Sequence, residues 1–136
     1  MDPGKMDYRR IKNETKEEQE ALWAGDLGGK YNTRNLDTQN YFHRGVFWKR
    51  LQTEYNLGKI LEVGCNRGYN LEHLIYVSNW IYGIDINRMA IAYCHKEMPF
   101  MNTIQGSVFD LPFKTCSLMV GMISFGCGFP LVIINE

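Results

Sequence analysis

The residues best suited to chemistry lie in Ile60-Leu61-Glu62-Val63-Gly64-Cys65-Asn66-Arg67-Gly68-Tyr69-Asn70-Leu71, an apolar run that bends into a helical pattern. A strand turning sharply into a helix needs residues that tolerate positive φ and lack bulk, so that a ligand can approach the backbone. Gly64 and Gly68 meet both needs, and asparagine, as at Asn66, enters the left-handed region more readily than other side chains. The helix that follows aims its free N–H groups over the bend. A dinucleotide fingerprint, G-x-G-x-x-G counted from Gly64, would put glycine where Asn66 and Tyr69 stand. A phosphate loop would need Gly-Lys-Ser/Thr, which does not follow. The spacing is instead E-x-G-x-N-x-G. The carboxylate of Glu62 would repel a phosphate and favour a cationic group, an ammonium or a sulfonium.

Seventeen residues after Gly68, Asp85 closes the run Ile81-Tyr82-Gly83-Ile84-Asp85, with Ile86 behind it. An acid at the carboxyl end of a second strand can accept hydrogen bonds from two ribose hydroxyls. Gly106-Ser107-Val108-Phe109-Asp110-Leu111-Pro112-Phe113 then brings polar groups and an apolar wall to the same sheet edge, where an adenine ring could lie. His43, His73 and His95 have no cysteine or acid beside them in a catalytic pattern and read as surface or helix residues. No catalytic residue can be named. Four cysteines, at 65, 94, 116 and 127, form no C-x-x-C pair, so no metal site is expected, and free thiols in a reducing cytoplasm are the expectation.

These residues need strands and helices to carry them. Thr15 is placed to cap a short helix, with Glu17 and Glu18 near its positive end. Trp23 to Tyr31 reads as a glycine-rich loop, its two aromatics as packing residues rather than a lid. Phe42, Val46, Phe47 and Leu51 at helical spacing predict an amphipathic helix over 40–55, stopped by Gly58, with Phe42, Phe47 and Trp48 on its packed face. Strands are expected at 60–63, 80–84 and 100–104, and helices at 70–76 and 87–97, the latter capped by Asn87. Short apolar strands alternating with helices predict an α/β fold, a Rossmann-like parallel sheet with flanking helices. Residues 1–38 are expected to form an arm and cap segment, and 39–136 a partial cofactor-binding domain.

The chain has 136 residues, enough for one domain, and 45% of them are apolar. Fifteen Lys and Arg balance fifteen Asp and Glu, so the basic excess of a broad nucleic-acid surface is absent and no nucleic-acid partner is expected. The polar first twenty residues lack the apolar core of a secretory signal. Leu118 to Ile134 is a charge-free run of 17 residues containing Gly121, Gly126, Gly128 and Pro130. Its glycines and proline suit strand-turn-strand; a truncated or frame-shifted tail comes second and a membrane anchor third, since a span takes about 20 apolar residues. Oligomeric state is left open.

The stretch from Ile60 to Phe113 resembles the cofactor half of a class I S-adenosylmethionine-dependent methyltransferase. Glu62 to Gly68 resembles its glycine motif, Gly83-Ile84-Asp85 its ribose acid, and Gly106 to Phe113 its "G-(D/S)-x-x-D-L-P-F" segment. Upstream, Trp23-Ala24-Gly25-Asp26-Leu27-Gly28-Gly29-Lys30-Tyr31 with Arg34-Asn35 is similar to the opening of methylases associated with pseudaminic acid biosynthesis. The resemblance implies S-adenosylmethionine as cofactor and a small-molecule acceptor, a sugar among the candidates. It implies Glu62 at the methionine end, Gly64, Cys65, Asn66 and Gly68 as the floor, Asp85 and Ile86 at the ribose, and Ser107 or the Val108 amide at the adenine edge. Asn66 replaces the glycine, and Ser107 the aspartate, of many relatives. The likeness thins at Cys116, and Ser117-Leu118-Met119-Val120 lacks the acid of the expected fourth strand. A C-terminally truncated, inactive fragment is therefore one expectation. The alternatives are a non-catalytic cofactor- or nucleotide-binding module and a product without activity.

Overall fold

A computed structural model describes residues 15–34, 41–56, 58–76, 78–112, 120–124 and 130–134. The sheet is built from β1 (Lys59–Val63), β2 (Trp80–Asp85), β3 (Asn102–Gln105), β4 (Val120–Ser124) and β5 (Pro130–Ile134), in the order β3-β2-β1-β4-β5. Strands β1 to β4 are parallel, and β5 runs antiparallel to β4. Only residues 125–129 connect β4 to β5, whereas a parallel crossover takes a dozen or more, so a return strand is the geometry within reach. The charge-free C-terminal run thus contains two paired strands, as strand-turn-strand requires; Cys116 and Cys127 lie outside the described residues. No helix among the described residues is long and apolar enough to cross a membrane.

Helices α1 (Lys16–Ala24), α2 (Asp26–Arg34) and α3 (Tyr41–Tyr55) precede the sheet; α4 (Leu71–Leu74) joins β1 to β2, and α5 (Arg88–Glu97) joins β2 to β3. Thr15 caps α1 reciprocally: its hydroxyl accepts from the Glu18 amide (3.2 Å), and its own amide donates to the Glu18 carboxylate (2.7 Å).

The stretch from Trp23 to Tyr31, expected as a loop, instead turns at Gly25 and continues as α2. Helix propensity loses here to tertiary contact. A Cβ on Gly28 would stand 1.9 Å from the Trp23 carbonyl oxygen and 2.6 Å from Asn87 Nδ2, so glycine lets α2 close onto α1 and the sheet. Trp23 and Tyr31 pack edge to face on each other, 5.7 Å between centroids, as packing residues should.

Helix α3 forms as expected but presents a different face. Val46 (52% exposed) and Phe47 (38%) point outward, while Trp48 is buried and Arg44 and Leu51 are partly covered. Gly45 sets this rotation, since a Cβ there would already press on His73 Nδ1 at 3.2 Å. The helix ends at Asn56, in the left-handed region (φ 48°), before Gly58 is reached. The Phe42 side chain lies outside what is described.

Partners in the β1–β2 register, Ile60 with Ile81 and Glu62 with Gly83, place Ile60, Glu62, Ile81, Gly83 and Asp85 on one face of the sheet. That face holds the larger core, in which Ile60 and Ile81 pack with Trp48, Leu71, Leu74, Ile91 and Cys94. Leu61, Val63 and Ile84 form a smaller cluster on the other. Because the chain runs from β1 outward to β3 and returns to β4 on the other side, the order reverses beside β1, where sheets of this kind hold ligands at their carboxyl ends.

Candidate functional site

The bend after β1 has the backbone its residue types demand. Gly64 (φ 74°), Asn66 (φ 51°) and Gly68 (φ 84°) are all left-handed. At Gly68 a Cβ would meet Met98 Cε at 2.5 Å and Cys94 Sγ at 2.9 Å, so this glycine also lets the bend seat on α5. Gly83 serves β2 in the same way, leaving room for Cys65 Sγ, which an added Cβ would approach to 2.8 Å.

Asp85 clasps the bend. One carboxylate oxygen accepts from the Asn66 amide and the other from the Asn87 amide, both at 2.8 Å. Burial pushes the Asp85 carboxyl up from its ordinary range, and these two hydrogen bonds work against that rise. Each oxygen keeps a further lone pair, so Asp85 can still accept from a ligand.

Glu62 is buried, 1% exposed, beneath α3 and α4. Its Oε1 accepts from Asn70 Nδ2 at 2.7 Å, whereas Oε2 is buried with no partner. Burial drives its carboxyl up to about 8, against the opposing effects of Asn70 and the Arg44 charge and with some help from Asp85. Asn66 Oδ1 is a second buried acceptor without a partner. An apolar site would not leave two acceptors unmatched beside two acids. A ligand bearing hydrogen-bond donors can meet them.

Cys65 is buried against Gly83, and burial, followed by the charges of Glu62 and Asp85, holds its thiol well above the ordinary range, so it packs rather than reacts. Arg67 turns away from the bend and lays its guanidinium 4.4 Å over the Tyr93 ring of α5. Ile86 is half-buried, and its carbonyl accepts from Gln105 Nε2 (3.3 Å). Ser107 is engaged inside the protein: its hydroxyl donates to the Glu20 carboxylate of α1 and accepts from the Phe109 amide at 3.1 Å. Val108 is exposed.

The structure therefore brings Glu62, Gly64, Cys65, Asn66, Gly68 and Asp85 together, while Ser107 and Val108 lie on the loop after β3 under α1. His73, expected as a surface or helix residue, stands on α4, where it is buried, and burial lowers its pKa from the ordinary range. It faces inward on the short turn of α4, against the backbone of Gly45.

Five further side chains, of Asn32, Arg44, Trp48, Asn70 and Asn87, belong to the site's framework. Asn87 caps α5 by accepting from the Ala90 amide (3.0 Å), accepts from Asn32 Nδ2 (3.2 Å) and donates to the Trp23 carbonyl (3.1 Å), tying α1 and α2 to the end of β2. Asn70 Oδ1 accepts from Arg44 Nη1 (2.8 Å) and more weakly from Trp48 Nε1 (3.4 Å). The 44/48 spacing places Arg44 and Trp48 on one helix face, but nothing local marks Asn70 as their common acceptor. An open cleft beside α2, lined by Gly25, Gly29, Lys30, Asn87 and Met89 among others, meets this framework only at Asn87.

Residues 61–122 match the family model of a methyltransferase domain, a match that runs into β4. Parallel sheet and flanking helices are the class I Rossmann-like fold, and the likenesses to S-adenosylmethionine-dependent methyltransferases support S-adenosylmethionine as the cofactor. A protein of Mycobacterium tuberculosis (strain CDC 1551), described as a probable S-adenosylmethionine-dependent methyltransferase, is 27% identical over 96 residues, covering 69% of this chain and 35% of its own. The chain thus spans about a third of the length of the curated relatives it matches. Among solved structures, Streptomyces venezuelae DesVI superposes with TM-score 0.57 at 18% identity over 74% of this chain and 44% of its own. CalS10, an amino pentose methyltransferase from Micromonospora echinaspora, superposes with TM-score 0.52 at 18% identity over 72% and 41%.

Proposed function

We propose that the chain binds S-adenosylmethionine over the bend between β1 and α4 and serves methyl transfer to a small-molecule acceptor of the sugar class. In this reading Glu62 Oε2 takes the ammonium of the methionine moiety, and Gly64, Cys65, Asn66 and Gly68 form the floor. Asp85 takes the ribose hydroxyls, with Ile86 beside them. Both acids lie on one face of the sheet, so the two ends of one extended ligand can reach them. Because the Ser107 hydroxyl is committed to Glu20, the adenine edge falls to the Val108 amide.

Bound there, the cofactor supplies an electrophilic methyl group on a sulfonium, and the protein contributes position and electrostatics. Glu62 would balance the ammonium and Asp85 would fix the ribose, which together set where the sulfur lies. No general base is assigned among the described residues. The sugar acceptor is supported by two likenesses: CalS10 is an amino pentose methyltransferase, and the 23–35 segment resembles methylases associated with pseudaminic acid biosynthesis. Free, buried Cys65 and Cys94 fit a reducing compartment such as the cytoplasm.

The observation that carries the reading is the left-handed trio at 64, 66 and 68 set between the partly buried Asp85 and the buried Glu62, which has one oxygen unmatched. Calorimetric titration of the folded chain with S-adenosylmethionine tests it. Micromolar binding is expected, and no heat from a folded chain would refute it. Asp85→Ala should weaken that binding by about 1–3 kcal/mol, the worth of hydrogen bonds to a charged group. Unchanged affinity would remove Asp85 from the site.

A further inference from the structure

The buried chain of contacts from α3 to Glu62 has a direction. The Asn70 carboxamide receives two donors on Oδ1, from Arg44 (2.8 Å) and Trp48 (3.4 Å), and this fixes which way the amide faces. Its Nδ2 must then point at Glu62 Oε1, which it reaches at 2.7 Å. Oε1 is thereby held by the protein, and Oε2 is the oxygen left without a partner.

We propose that Asn70, oriented by Arg44, is a positioning residue that allots one oxygen of Glu62 to the protein and reserves the other for the cation of the ligand. The inference rests on the S-adenosylmethionine reading for the identity of that ligand, though not for the relay itself. Arg44 acts through Asn70 and contributes a positive charge that favours the ionised carboxylate. Of the other titratable groups facing Glu62, Asp85 from β2 opposes it, whereas the thiols of Cys65 in the bend and Cys94 on α5, both pushed up by burial, stay neutral as it titrates. Glu72 and His73 of α4 lie on the Arg44 side of the relay. A helix with no part in the glycine motif thus helps to set the charge state of the motif's acid.

Two measurements on the 136-residue chain test this. Carbon-13 NMR titration of the Glu62 carboxyl, without ligand, should show its midpoint raised by roughly one pH unit in both Arg44→Met and Asn70→Ala, with Arg44→Lys recovering most of the change. Calorimetry with S-adenosylmethionine should show each of the two losing about tenfold in affinity, and the double variant losing no more than Asn70→Ala alone. Packing loss alone would leave the Glu62 midpoint in place. Unmoved midpoints, or losses that add in the double variant, overturn the relay. Arg44 is only partly covered, so its variants keep the test open should Asn70→Ala fail to fold. Wild-type chain that shows no heat with S-adenosylmethionine refutes the ligand assignment instead, and the NMR arm then decides the relay by itself.

Discussion

Replacing Glu62 by glutamine should make the unliganded fold more stable at neutral pH, by an amount that grows with pH. In the folded chain burial holds the carboxyl at about 8, against an ordinary 4.5 in the unfolded chain. Between those values the folded state binds the additional proton, so stability falls as pH rises, by about 1.4 kcal/mol per pH unit, and levels off above the folded value. At pH 7 the accumulated cost is about 3 kcal/mol, from roughly 2.5 units of pH above the unfolded value. Glutamine keeps the acceptor that Asn70 uses. Its amide N–H group meets the same lack of a partner at Oε2 that a protonated carboxyl would, so the two proteins should nearly match near pH 4.5. Urea unfolding of both across about pH 4.5 to 8 gives the difference curve, in which the other titrating groups cancel. A gap that widens by about 1.4 kcal/mol per unit confirms a carboxyl titrating in the core. Parallel curves would refute it, because Glu62 would then ionise as readily folded as unfolded. The same substitution should weaken S-adenosylmethionine binding, since the counter-charge for the ammonium is gone.

The bend offers a contrast between two neighbouring left-handed residues. Gly68→Ala should destabilise the fold by about 1–3 kcal/mol in urea unfolding, because its Cβ adds left-handed strain and drives into Cys94 and Met98. Asn66→Gly should be neutral or stabilising by up to about 1 kcal/mol, since it relieves a positive φ and removes an unmatched acceptor; a loss above that size would show that the Asn66 side chain has a structural partner. Binding of S-adenosylmethionine near pH 7 should also release protons as Glu62 ionises beside the ammonium, seen as a dependence of the calorimetric heat on the buffer's ionisation enthalpy; identical heats in all buffers would argue against the contact.

The bend was legible from sequence because each of its demands is local. Positive φ at 64, 66 and 68 selects glycine and asparagine whatever surrounds them, and a strand pattern on one side with a helix pattern on the other fixes where the turn must fall. Asn87 as a cap and Thr15 as half of a capping box are local in the same sense. The misreadings are all of the other kind. Helix α2 exists because Gly28 can touch α1 and Asn87, 59 positions further along the chain, and the glycine pair by itself argues for a loop. The face of α3 was shifted because apolar spacing alone favours Val46 and Phe47, whereas the contacts that decide it join Arg44 and Trp48 to Asn70. The helix position of His73 was readable, but its burial has the same distant origin, since the helix that covers it arrives from elsewhere in the chain.

The charge of Glu62 shows the limit most sharply. Its position two residues before Gly64 is written in the sequence, and the sign argument from that position assumes a carboxylate. Burial under α3 makes the unliganded side chain mostly neutral at pH 7, and a neutral acid does not repel phosphate. Discrimination then has to come from what each ligand does to the proton. An ammonium brought to Oε2 lowers the carboxyl's pKa and gains the resulting ion pair, whereas a phosphate would raise it further and gains only a hydrogen bond. In the proposed site, selectivity for a cation then comes from ionisation coupled to binding, and Arg44 and Asn70, by holding that pKa down, decide how much of the binding energy the ionisation consumes.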